Sequence, residues 1–204
     1  MENFLMSTDN NPDKYTELLK YEIFMFYFTA KELEKRPRKE KGKIGKMVFL
    51  EAFLLHTRIL IDFFLYDAIN ENQNKKKNKN DSIQPTNIIS DRDAEDLKQT
   101  VEYSKLKKLF IEEKDNNNLN LRQRIHKRLA HLSKSRINYI NESNWRDTLT
   151  IILATIQCYI EKFNEKLPDN NQFNNTGLIF TNFPGTIATS LSADVLDVCY
   201  VLKK

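Results

Sequence analysis

Turn-forming residues are scarce in this chain. Four glycines and five prolines among 204 residues are too few to punctuate the many short strands of a sandwich or barrel, so a small number of long elements is expected. Cysteine is scarcer still. Cys158 and Cys199 make neither a disulfide framework nor a C-x-x-C zinc pair, and a reducing cytoplasmic setting is the default expectation. The three histidines, His56, His126 and His131, include no HExxH arrangement. No carboxylate cluster has metal-ligand spacing, and there is neither a glycine-rich phosphate loop nor a G-x-S-x-G elbow. No metal and no cofactor are therefore expected.

Long hydrophobic runs are missing as well. Glu22, Glu51, His56, Arg58 and Asp62 break the most apolar stretches, so none reads as a membrane span. The opening MENFLMSTDNNPDK has no basic start followed by an apolar run, and no signal peptide is expected from it. Charge is nearly balanced: 32 Lys and Arg against 28 Asp and Glu leave a net +4. That excess is compatible with a nucleic-acid partner but too mild to establish one.

What is present is enough apolar material for one packed interior. Hydrophobic residues make up 40% of the chain, with 13 Phe and 8 Tyr, and the length suits a single core with or without a tail. The periodicity predicts helices. The first spans about Asp13 to Arg36, started by Asn11 and Pro12 and stopped by Pro37, with Leu19, Ile23, Phe26, Tyr27, Ala30 and Leu33 on one face. The second, from about Ile44 to Asn70, is apolar nearly all round, as befits the middle of a bundle or a subunit interface. A polar stretch with Lys75, Lys76, Lys77 and Lys79 follows, and its charge would attract RNA without offering an aromatic platform.

Ser90 and Asp93 form a candidate capping box for a third helix through Leu97, Val101, Leu106 and Phe110. A fourth helix is expected from near Asn118 to Tyr139. A fifth starts at Ser143 or Asn144 and ends before Pro168, with Trp145, Leu149, Ile152, Ile156, Tyr159, Ile160 and Phe163 buried. Residues 1–167 read as a helical bundle domain and 168–204 as a tail, irregular or with short strands. The expected fold class is all-α, an antiparallel bundle of four or five helices.

The chemistry is richest in LRQRIHKRLAHLSKSR, from Leu121 to Arg136. On a helix, Leu121, Ile125, Leu129 and Leu132 share the core side. Arg124, Arg128, His131 and Ser135 form a flanking stripe at steps that bring them to one cleft. Guanidinium forks match phosphate oxygens and stabilise developing charge, and a histidine moves a proton near neutral pH. Arg124, Arg128 and His131 are thus the candidate catalytic residues for metal-free RNA cleavage, with His126, Lys127 and Ser135 as candidate substrate contacts. The plainer reading makes the arginines solvated and His131 a packing residue. A second polar line, Glu51, Arg58 and Asp62, runs along the second helix. It is expected to form an internal ion-pair network with Arg136 as a partner for Glu51 or Asp62, while His56 is expected to be buried and hydrogen-bonded.

Two blocks together resemble a group of bacterial helical proteins of uncharacterised role. One is Glu51, Phe53, His56 and Arg58; the other is Lys127, Ala130, His131, Leu132 and Ser133. The resemblance covers roughly residues 15 to 165, and the group is in turn similar to the HEPN superfamily of helical bundles. Many HEPN proteins are metal-independent ribonucleases in toxin–antitoxin or phage-defence systems, and they dimerise to pair an Arg-and-His motif. Arg124 and His131, with six residues between them, fit the looser form of that motif. The resemblance implies an RNA-cleaving toxin or defence effector, acting on RNA as a homodimer and meeting an antitoxin or defence-system partner. The alternative expectation is a non-catalytic helical module that binds a partner protein or nucleotide.

Overall fold

A computed structural model of the chain describes residues 12–35, 43–71, 83–130 and 145–173. Their regular structure is helical, apart from an isolated bridge between Lys114 and Asn120. The protein is an all-α helical bundle.

Helix α1 (Pro12–Lys35) starts on the proline, whose missing N–H costs nothing in a first turn. Leu19, Ile23, Phe26 and Tyr27 are buried along it. Two buried threonines on α1 satisfy their hydroxyls within the helix. Thr16 Oγ1 donates to the Pro12 carbonyl at 2.9 Å and Thr29 Oγ1 to that of Met25 at 2.7 Å.

Helices α2 (Lys43–Phe64) and α3 (Tyr66–Glu71) share one line. Leu65 interrupts the regular pattern, but its N–H still reaches the Ile61 carbonyl at 2.9 Å, and Ile69 N–H reaches Leu65 at 3.0 Å. The long second helix expected from the sequence is therefore present with one irregular residue. α1 and α2 run antiparallel. Glu22 meets His56, Phe26 stacks on Phe53 at 5.0 Å and Phe28 meets Phe49, so rising numbers on one helix face falling numbers on the other.

The third expected helix is divided. α4 (Asp91–Lys98) begins at Ser90, whose Oγ accepts from the Asp93 N–H at 3.1 Å. It stops at Gln99. Thr100 then caps α5 (Val101–Lys107): its Oγ1 donates to the Leu97 carbonyl at 2.6 Å and accepts from the Tyr103 N–H at 3.2 Å. The cap redirects the chain, and Val101, one of the apolar residues along the expected helix, is 54% exposed. α5 widens into a π-helical turn, Lys108–Glu112, that keeps Phe110 fully buried.

A tight turn leads to α6 (Leu121–Ala130). Asp115 Oδ1 accepts from the N–H groups of Asn117 and Leu119, and Asn118 has φ 58°. Asn120 and Gln123 cap the helix reciprocally, each side chain accepting the other's N–H at 2.9 and 3.0 Å. Asparagine tolerates the left-handed region, whereas a β-branched residue there is a steric outlier. Asn118→Val is expected to lower stability by about 1–2 kcal/mol and Asn118→Gly by much less, read from thermal melts of the two variants.

Helix α7 (Trp145–Asn164) buries Ile152, Ile156, Tyr159, Ile160 and Phe163 as the periodicity requires. Its aromatics interlock with α2: Phe64 lies 4.9 Å from Tyr159 and Phe63 lies 5.7 Å from Phe163, both edge to face. Asn164 Oδ1 accepts the Phe173 N–H at 2.6 Å, and Asn171 Nδ2 donates to Asp13 on α1 at 3.3 Å. The lysine-rich stretch and the tail beyond Phe173 lie outside the described residues.

Candidate functional site

The polar residues of α2 meet two different elements. His56 is buried and faces α1, where its Nδ1 lies 2.7 Å from Glu22 Oε2, itself largely buried. Tyr21 approaches the imidazole edge-on with centroids 6.3 Å apart. A carboxylate and an imidazole satisfy each other here within an otherwise apolar seam. Further along α2, Asp62 is held from two sides. Arg122, in the first turn of α6, donates from Nε to Asp62 Oδ1 at 2.6 Å, and Arg58, one turn earlier on α2, has Nε 3.5 Å from Oδ2.

A groove of about 480 Å³ lies at the end of the hairpin where α1 begins and α2 ends. Glu22, Arg58, Asp62 and Arg122 supply its polar wall. Leu18, Leu55, Ile59, Phe63, Ile69 and Ile83 supply hydrocarbon, and Tyr66 and Asn70 also line it.

The stripe expected on α6 is placed differently from this groove. Arg124 is partly exposed and sits 3.6 Å from Asp115 Oδ2. The Leu119 N–H, foremost, holds the Asp115 carboxyl below its ordinary range against the opposing effect of desolvation, and the Asn117 N–H and Arg124 add to the lowering. Asp115 therefore keeps its charge opposite Arg124 at neutral pH. Arg128, one turn on, is only 3% exposed. A phosphate approaching this stripe would compete with Asp115 for Arg124 and would find Arg128 closed to solvent. His126 and Lys127 are exposed. His131, Ser135 and Arg136 lie outside the described residues.

The groove takes Arg122 from α6 and neither Arg124 nor Arg128. Side chains two residues apart on a helix point to opposite sides, so a stripe drawn through Arg124 passes Arg122 by. Glu51 is half-buried on α2. Sequence reasoning gave Arg122 and Glu22 no role. The available signal for Arg122 was an arginine just inside a capped helix start. For Glu22 it was a lone carboxylate on the most apolar stretch of α1. Among the described residues no group of His, Cys, Asp and Glu is arranged to hold a metal ion, and no helix is long and apolar enough to cross a membrane.

No family model, no curated protein and no solved structure matches this chain.

Proposed function

We propose that this protein is a non-enzymatic helical interaction module that works as a homodimer, paired through the outer face of the α1–α2 hairpin. That face carries the reading. Leu18, Tyr21, Phe24 and Phe28 follow one another at three- and four-residue steps on α1, and Val48, Leu55 and Ile59 share one side of α2; all seven are exposed. Single exposed apolar residues are ordinary, whereas a contiguous patch of several hundred Å² marks an interaction surface. Phe24 and Phe28 lie stacked, 6.0 Å apart and 18° from parallel, offering flat ring surface to an incoming partner.

A second copy suits this face better than an unrelated protein. Two-fold pairing lets a single patch cover its own twin, with no separate complementary surface required. The HEPN resemblance points the same way, since that superfamily dimerises. The non-enzymatic part draws support from α6, where Arg124 faces Asp115 and Arg128 is buried. Those placements suit ion pairing and packing better than holding a phosphodiester.

Analytical ultracentrifugation is expected to give twice the chain mass for the wild type. Val48→Glu, at a side chain 58% exposed, should raise the dimer dissociation constant at least tenfold while leaving the helical content of the chain unchanged. Total RNA incubated with the protein without metal should stay intact. A monomeric wild type would remove the homodimer, and RNA cleavage that disappears in His131→Ala would favour a ribonuclease instead.

A further inference from the structure

We propose that the groove between the start of α1 and the end of α2 binds an amphipathic monocarboxylate, its head held by Arg58 and Arg122 and its hydrocarbon body by the apolar walls. This goes beyond self-association. Phe24, Phe28 and Val48 of the outer face do not line the groove, although Leu18, Leu55 and Ile59 border both.

Asp62 hydrogen-bonds Arg122 at 2.6 Å and draws Arg58 to 3.5 Å. Asp62 engages each through Nε, and among the described residues neither makes a hydrogen bond from its Nη groups. Each therefore keeps its terminal N–H donors for a planar oxyanion, the geometry in which arginine binds carboxylates most strongly. Both side chains are partly exposed, 33% for Arg58 and 22% for Arg122, so a ligand can reach them. Asp62 also carries the cost of ordering these two long side chains before any ligand arrives.

Charge selects the head group. The polar wall carries two guanidinium groups and two carboxylates, but Glu22 is turned to His56, so Arg58 and Arg122 face Asp62 alone and have room for one monoanion. A dianionic phosphate would meet Asp62 directly and Glu22 on the same wall. The walls select the body. Leu18, Leu55, Ile59, Phe63, Ile69 and Ile83 present hydrocarbon, and the groove's volume of about 480 Å³ lies within the range of roughly 300–1,000 Å³ usual for small-molecule sites.

Calorimetric titration of the full chain with decanoate, below its micelle concentration, tests the assignment. Saturable binding of one decanoate per chain is expected, at least tenfold tighter than decan-1-ol and tighter than decyl phosphate. Arg122→Gln should weaken decanoate at least tenfold. Arg58→Lys, which keeps the charge but loses the planar fork, should weaken it several-fold and guards against any loss of fold in the Arg122 variant. The same titration on Val48→Glu, whose side chain does not line the groove, should give binding no weaker than wild type, which separates this site from the fate of the dimer. No saturable binding, equal affinity for decan-1-ol, tighter binding of decyl phosphate, or indifference to both arginine substitutions would each overturn it.

Discussion

Phe53→Ala is expected to lower the unfolding free energy by about 3–5 kcal/mol. Phe53 is 1% exposed and lies nearly parallel to Phe26, which is fully buried, with centroids 5.0 Å apart. Removing the ring forfeits its transfer from water and also leaves a cavity facing Phe26, because close-packed neighbours relax only partly. Phe53→Leu retains most of the volume and should cost far less. Urea denaturation reads this as a fall in midpoint at unchanged slope. A loss under about 1 kcal/mol for the alanine variant would mean that the α1–α2 seam contributes little of the packing energy.

Glu22→Ala is expected to cost about 2–3 kcal/mol, although it removes no large apolar group. Its carboxylate lies 2.7 Å from His56 Nδ1, and both side chains are largely buried. Taking the carboxylate away leaves an imidazole nitrogen facing hydrocarbon, and an orphaned buried polar group is penalised more heavily than the intact bond is rewarded. That asymmetry makes a sharper test available. Glu22→Leu combined with His56→Phe removes both polar partners and should recover most of the loss of the single variant, because apolar pairs in such places are often neutral or better. Should the double variant prove no more stable than Glu22→Ala, the interaction at this seam is something other than a mutually satisfied polar pair.

The bundle was largely legible in the sequence because helical periodicity is a local signal. Leu19, Ile23, Phe26 and Tyr27 on α1, and Ile152, Ile156, Tyr159 and Phe163 on α7, are buried where their spacing puts them. The division of the third helix was not legible. Its cause is a side-chain hydroxyl, that of Thr100, outcompeting one helical turn, and apolar spacing carries no trace of it. The site divides the same way. The buried, hydrogen-bonded setting of His56 follows from its apolar neighbours along α2, but its partner stands 34 residues away on another helix. Asp62 and Arg122 are 60 residues apart. One-helix geometry shows which residues share a face, not which face a neighbour will present, and that depends on packing over the whole bundle.

Hydrocarbon seams are poor rulers. Two rods faced with Phe, Leu and Ile interdigitate almost as well after one slips past the other by a turn, about 5.4 Å. The Glu22–His56 contact removes that freedom, because any such slip strands an acid and a base separately in grease. The same alignment that joins those two side chains also brings Leu18, Arg58 and Ile59 to one groove. A single polar contact thereby acts as an indexing pin, discouraging misaligned hairpins more than it strengthens the correct one.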